Sequence, residues 1–218
     1  MENFSQVDME NWSRADLYHH YTEVWPGCLV TLGIKVDITE TVAFLKEKGL
    51  KLAPVLYHLA TKVLCEQSNF RMGFCEGKLG YWDSLCPLYP VLNEDKNITF
   101  HSVPWHRNCL AYYQSYLEEA ERNSHCKKAV CGEIPDNFVL ISIVSGTSFE
   151  SCTFSLRNAK GYLTPTIFIG KYENRDGRLL MPLSFCFNHA VADGYHVQMF
   201  FDSFQKMLAS PQDWWEEE

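Results

Sequence analysis

Residues 188 to 196 read N-H-A-V-A-D-G-Y-H, with His189 four residues ahead of Asp193 and Gly194. An imidazole gains and loses a proton near neutral pH, so a histidine delivered to the end of a buried segment is a candidate general base. The Asp-Gly pair that follows supplies a supporting turn. The same residues also have a plain structural reading, a satisfied histidine beside an ordinary turn. Position alone leaves both open.

The elements around this stretch must hold it in place. Leu179 to Phe187 (L-L-M-P-L-S-F-C-F) is apolar and uncharged, which reads as a strand buried on both faces. After Gly194, the residues Val197, Phe200, Phe201, Phe204 and Leu208 fall at three- and four-residue spacing, the pattern of an amphipathic helix. His189 is therefore expected at a strand end, with Asp193-Gly194 turning the chain into a helix.

Earlier segments read in the same terms. Cys28 to Ile38 is rich in branched residues and predicts a strand; Asp37 and Glu40 have capping-box spacing, and Gly49 closes the helix that follows. Pro54 suits the first turn of a second helix with Val55, Leu59, Val63 and Leu64 on one face. Phe70 to Val103 predicts a meander of antiparallel strands, broken by Gly77, Asp83, Pro87, Pro90 and Asn93. A third helix is expected over Cys109 to Arg122 with Leu110, Tyr113, Tyr116 and Leu117 on its face, followed by a polar connection from His125 to Pro135. Strand signals recur at Asn137 to Val144, Ser148 to Ser155 and Pro165 to Tyr172. The sum is an α+β, two-layer sandwich of a mixed β-sheet with helices.

Bulk properties bound the function. A chain of 218 residues, 46% hydrophobic and 14% aromatic, is globular, and residues 1–218 are expected to form a single domain. The formal net charge of -8 argues against a nucleic-acid partner, and Lys127-Lys128 is too small for a basic patch. Glu216 to Glu218 reads as a solvated acidic end. The first ten residues lack a basic start and an apolar run, and no stretch approaches ~18 consecutive apolar residues, so a cytoplasmic protein without a membrane partner is expected. Nine cysteines form no C-x-x-C pair, which gives neither a disulfide framework nor a metal site. Cys65, Cys152 and Cys186 read as core residues; Cys126 and Cys131, in a polar loop beside His125, are the one pair set apart.

Seven stretches then carry a resemblance over most of the chain: V-D-M-E-N-W-S-R, I-K-V-D-I-T, N-F-R-M, Y-W-D-S, I-G-K-Y, L-L-M-P-L and N-H-A-V-A-D-G-Y-H. In this order they resemble the chloramphenicol acetyltransferase family. H-x-x-x-D-G alone is less specific, since dihydrolipoyl acyltransferases, condensation domains and plant acyltransferases share it. The resemblance implies a trimer with active sites at subunit interfaces and direct acyl transfer from acetyl-CoA, a co-substrate rather than a bound cofactor, to a hydroxyl. No covalent enzyme intermediate is required.

By the same resemblance His189 is the general base and Ser142 the oxyanion donor, while Asp193 pairs with Arg14 of the W-x-R motif as structural support rather than acting on the imidazole. Lys51 and Lys171 match lysines at the phosphate-bearing end of CoA. The acceptor pocket is implied at His20, Tyr21, Trp25, Cys152, Phe154 and Phe168. It departs from the family's pattern: Phe168 stands where a threonine is usual, and Asn188 where the family has a second histidine.

The leading expectation is an acetyl-CoA-dependent O-acetyltransferase that inactivates chloramphenicol. An enzyme of the same chemistry with a different hydroxylated acceptor is the alternative. A dihydrolipoyl acyltransferase core is disfavoured, because such cores follow lipoyl and linker segments whereas this chain opens on the W-x-R segment. A non-catalytic binder is disfavoured by the joint presence of His189, Ser142, Asp193 and Arg14.

Overall fold

A computed structural model describes residues 3–215; the acidic end at Glu216 to Glu218 lies outside them. The chain opens with β1 (Phe4–Gln6) and α1 (Ala15–His19), which runs on into a π-helical turn, His20–Val24. Next come β2 (Leu29–Asp37), α2 (Thr39–Glu47) and α3 (Leu52–Cys65). Asp37 does guide the entry to α2, but not in the expected box with Glu40. It lies inside β2, and its Oδ1 accepts from the Thr39 N–H (3.0 Å) and hydroxyl (2.5 Å) while Oδ2 pairs with Arg178 (2.8 Å). Gly49 follows α2 with φ +67°, the left-handed conformation in which glycine avoids a Cβ clash.

The segment expected as one meander divides between two sheets. β3 (Met72–Cys75) and β4 (Lys78–Trp82) join β1 in a three-stranded sheet, whereas β5 (Cys86–Leu92) and β6 (Ile98–Ser102) belong to the main sheet. Then α4 (Cys109–Arg122) forms where expected, capped by the Asn108 side chain on the Ala111 N–H. Its face is rotated: Cys109, Tyr112 and Tyr113 are buried, while Leu110 and Leu117 point outward. Tyr residues of α3, α4 and β5 (Tyr57, Tyr89 and Tyr116) stack there in place of the leucines.

The last third supplies β7 (Phe138–Val144), β8 (Thr166–Gly170), β9 (Glu173–Arg175), β10 (Arg178–Asn188), α5 (Gly194–Ala209) and α6 (Pro211–Trp215). The main sheet is mixed, in the order β2-β10-β8-β7-β5-β6 with β9 on β10. β7 runs parallel to both β5 and β8, and the other pairs are antiparallel. The architecture is α+β. Helices α3 and α5 pack on one face, where Phe185 of β10 meets Phe70 and Phe200.

Ser148 to Ser155 is not a strand. It crosses the opposite face of the sheet, and side chains two residues apart on β10 hold its backbone: Ser184 donates to the Cys152 carbonyl (2.6 Å) and Cys186 to that of Phe154 (3.8 Å). Its alternating residues mimic a strand, yet its carbonyls bind side chains rather than a neighbouring strand. Residues 184 and 186 thus face the loop and 183, 185 and 187 the helices.

Among the described residues no helix is long and apolar enough to cross a membrane, and no group of three side chains is placed to hold a metal ion. All nine cysteines are free thiols.

The small sheet matters because β1 leads into the segment bearing Arg14. A Cβ on Gly80 would lie 2.4 Å from the Ser5 carbonyl and 2.4 Å from the Phe4 ring, so β1 and β4 approach closely only with glycine there. Gly80→Ala is expected to cost about 1–3 kcal/mol, read as a fall in the thermal or urea midpoint; an unchanged midpoint would contradict this packing.

Candidate active site

His189 follows directly on β10, and its N–H donates to the Cys28 carbonyl just ahead of β2 (2.9 Å). The two antiparallel strands therefore fix where the histidine leaves the sheet. Its Nδ1 lies 3.1 Å from the Ala192 carbonyl and 3.2 Å from Asp193 Oδ1. A carbonyl can only accept, so Nδ1 carries a proton, and in the neutral ring this leaves the Nε2 lone pair free. The contact with Asp193 departs from the expectation that this carboxylate serves Arg14 alone. Tyr21 stacks flat on the imidazole, with centroids 4.4 Å apart and planes within 6°, and Phe187 meets its edge at 5.8 Å.

Arg14 is buried and directs its guanidinium into the turn. Nε donates to the Ala190 carbonyl (2.9 Å), Nη2 to those of His189 (2.8 Å) and Ala192 (3.1 Å), and Nη1 and Nη2 to the two Asp193 oxygens (2.5 and 2.7 Å). These bonds hold Asp193 below the ordinary carboxylate range, against a smaller opposing effect of burial. Asn69 adds a bond to the Val191 carbonyl (2.7 Å). Asn188, 1% exposed, donates to the carbonyls of Ala159 (3.2 Å) and Tyr162 (3.0 Å) and accepts from Ala190 N–H (2.9 Å). Its amide is fully engaged and ties the turn to the loop before β8.

The residues singled out from sequence fall into two groups. His20 and Trp25 join Tyr21 beside His189 through edge-on ring contacts at 5.2 to 5.9 Å. Ser142 lies elsewhere. In register it pairs with Phe168 on β8, and Phe168 with Ser184 on β10, so all three share the loop-covered face. Phe154 meets the Phe168 ring at 6.0 Å, and the Cys152 carbonyl binds Ser184. Two inter-strand spacings and five residues along β10 separate Ser142 from His189, roughly 19 Å. That exceeds the combined reach of an imidazole and a serine hydroxyl.

Lys171 borders an apolar cleft of about 170 Å³ lined by Leu52, Ala53, Leu56, Ile143, Ile169 and Met181, and Lys51 is the chain neighbour of Leu52. Lys51 immediately precedes α3, where its N–H is held by the Tyr113 hydroxyl (2.9 Å). Both lysine side chains are exposed.

One contact went unread in the sequence. His196 Nδ1 accepts the Asp193 backbone N–H (3.0 Å). Its position three residues after Asp193 is the spacing of a helix-start box, the signal that could have found it.

Because Arg14 stabilises the charged carboxylate, Asp193→Asn is expected to cost about 2–3 kcal/mol, less than a fully buried pair because Asp193 keeps about a third of its exposure. A carboxylate whose folded pKa is lowered contributes fully above its unfolded value and loses that contribution as pH falls through the folded one. The carboxylate's own share of the difference between wild type and Asp193→Asn should be fully present at neutral pH and be lost below about pH 4. Urea unfolding across that range measures it.

Comparison with known proteins fits this geometry. The chloramphenicol acetyltransferase family model matches residues 2–205. A chloramphenicol acetyltransferase of Staphylococcus aureus is 33% identical over 97% of this chain and 99% of its own length. One of Clostridium perfringens is 34% identical over 97% of each. A solved chloramphenicol acetyltransferase, 19% identical, superposes with a TM-score of 0.82 over 94% of this chain and 99% of that one. A dihydrolipoamide acetyltransferase of Azotobacter vinelandii, also 19% identical, gives 0.65 over 98% and 93%.

Proposed function

The chain belongs to the chloramphenicol acetyltransferase family, and from that premise we propose that it transfers the acetyl group of acetyl-CoA to a hydroxyl of chloramphenicol, with His189 as general base. The observation that carries this is the fixed tautomer: Nδ1 is committed to Ala192 and Asp193, so Nε2 is free to take a proton. As it does so, the acceptor oxygen attacks the thioester carbonyl. The oxyanion collapses with release of the CoA thiolate, which takes the proton back from the imidazolium. Tyr21, stacked on the ring, keeps its plane constant during the transfer.

Ser142 is the proposed donor to the oxyanion. The separation of roughly 19 Å within one chain means that it can serve only the His189 of another copy, which supports a homotrimer with each site between two subunits. One subunit then supplies His189, His20, Tyr21 and Trp25, and its neighbour Ser142, Cys152, Phe154 and Phe168. Arg14 and Asp193 support the turn. Lys51 and Lys171 meet the phosphates of CoA, and the cleft that Lys171 borders takes its apolar stretch. One chain is one such domain, working in the cytoplasm.

Phe168 favours a second reading. It offers no hydrogen bond beside Ser142, and a site lacking a polar partner discriminates differently among hydroxylated acceptors. Thiol release with acetyl-CoA over a panel of alcohols separates the readings: a rate with chloramphenicol that vanishes in His189→Ala supports the first, and activity only on another acceptor supports the second.

His189→Ala and Ser142→Ala are each expected to be nearly inactive, the latter by about 10²–10³ in kcat. Refolded together in equal amounts, they should regain about a quarter of wild-type activity, since that share of interfaces joins an intact His189 to an intact Ser142. Absence of any regain would overturn the shared site.

Lys51→Ala and Lys171→Ala should each raise KM for acetyl-CoA by about three- to tenfold with kcat unchanged, the effect fading in high salt. Steady-state kinetics at two ionic strengths test this.

A further inference from the structure

The turn that carries His189 is gripped from a second direction. His196 is the third residue of α5 and lines a cleft of about 800 Å³ together with Arg14 and Asn69, which also grip the turn. Its backbone N–H donates to the Asp193 carbonyl (3.0 Å), and its ring Nδ1 accepts the Asp193 N–H (3.0 Å). A glutamate or glutamine usually makes this reciprocal contact at a helix start. Histidine can do so in one state only, with Nδ1 unprotonated and the proton on Nε2.

We propose that His196 is a positioning residue for the reaction: in its neutral Nε2–H tautomer it fixes the backbone of Asp193, and through the Asp193 carboxylate the imidazole of His189. The proposal rests on the reading of His189 as the base. The chain of contacts is short. His196 Nδ1 holds Asp193 N–H, Asp193 Oδ1 stands 3.2 Å from His189 Nδ1, and the same carboxylate is held by Arg14.

The charged neighbours decide what a proton on His196 would do. Asp193 Oδ2 lies 3.9 Å from Nδ1, Arg14 approaches from the segment before α1, and Asp8, Arg71 and Tyr81 line the cleft with it. Tyr195 meets its ring edge at 5.6 Å. Protonation turns Nδ1 into a donor facing the Asp193 N–H. The nearby acceptor Oδ2 is already bound by Arg14 at 2.5 Å, so the new donor competes with the guanidinium that shapes the turn. Burial favours the neutral ring and pushes its pKa below the ordinary histidine value, against the pull of Asp193. The grip therefore holds at neutral pH and fails on the acid side.

The test compares wild type with His196→Gln, whose amide oxygen can accept the same N–H, and with His196→Ala, which cannot. With chloramphenicol and acetyl-CoA, log kcat/KM for the acceptor should fall on the acid side with one proton in His196→Gln and approach two in wild type. At neutral pH, His196→Gln should stay within about threefold of wild type, and His196→Ala should lose about ten- to a hundredfold in kcat with KM for acetyl-CoA little changed. Nitrogen-15 shifts of histidine-labelled protein should show His196 as the Nε2–H tautomer. If His196→Ala fails to fold, the glutamine variant and the tautomer carry the test. An Nδ1–H tautomer, or acid limbs of equal slope in wild type and His196→Gln, overturns the proposal. A His189→Ala enzyme that keeps its rate instead overturns the assignment of the base, and the His196 tautomer is read independently of it.

Discussion

One guanidinium sets the shape of the turn on which the rest depends. Arg14 makes five hydrogen bonds to residues 189 to 193, three to carbonyls and two to the Asp193 carboxylate. Those carbonyls follow the last residue of β10 and precede the first of α5, so neither a ladder nor a helix satisfies them. Buried polar groups of this kind must find a partner, and a planar five-donor fork can serve several at once. A lysine, with a single point of attachment, could not reproduce the pattern. The proposed base is thus held by a residue about 175 positions away in sequence, and β1 with its small sheet frames the segment that presents it.

The sheet imposes the second constraint. Side chains on adjacent residues of a strand face opposite ways, and in-register neighbours share a face. Ser142, Phe168 and Ser184 line the loop-covered side, while Phe185 and Phe187 look toward the helices and His189 leaves at the sheet's end. His189 and Ser142 therefore lie on separate parts of one chain, and the proposed mechanism joins them through a second copy.

How much of this could be read in the sequence follows the range of the interaction concerned. Periodicity located β10, α5 and the bounds of α4, because apolar spacing is a local property of one element. It placed Tyr113 and Tyr116 inward on α4 but also Leu110 and Leu117, which tyrosines stacked against α3 and β5 displace outward, a choice made by partners far along the chain. It also took Ser148 to Ser155 for a strand, since alternation does not say whether a carbonyl will meet another strand or a side chain. The resemblance paired Arg14 with Asp193, and the two meet here; it gave Asp193 no part at the imidazole, whereas its Oδ1 stands 3.2 Å from His189 Nδ1. The gap between Ser142 and His189 was invisible, because it follows from strand order and register. The part Asn188 plays was equally out of sight: its amide is buried in backbone contacts and ties down a loop.

That loop is fastened in an unusual way. Ser184, Cys186 and Asn188, alternate residues of β10, each donate a side-chain hydrogen bond to a carbonyl of the segment running from Cys152 to Tyr162. The segment borrows the sheet's regularity without joining its ladder. Side chains between the fastening points can therefore be exchanged without breaking a strand pairing. On the proposed assignment of Cys152 and Phe154 to the acceptor side, natural selection can retune which molecules are accepted through this one segment while the proposed proton-transfer residues stay as they are, a separation that lets new specificities arise from an old reaction.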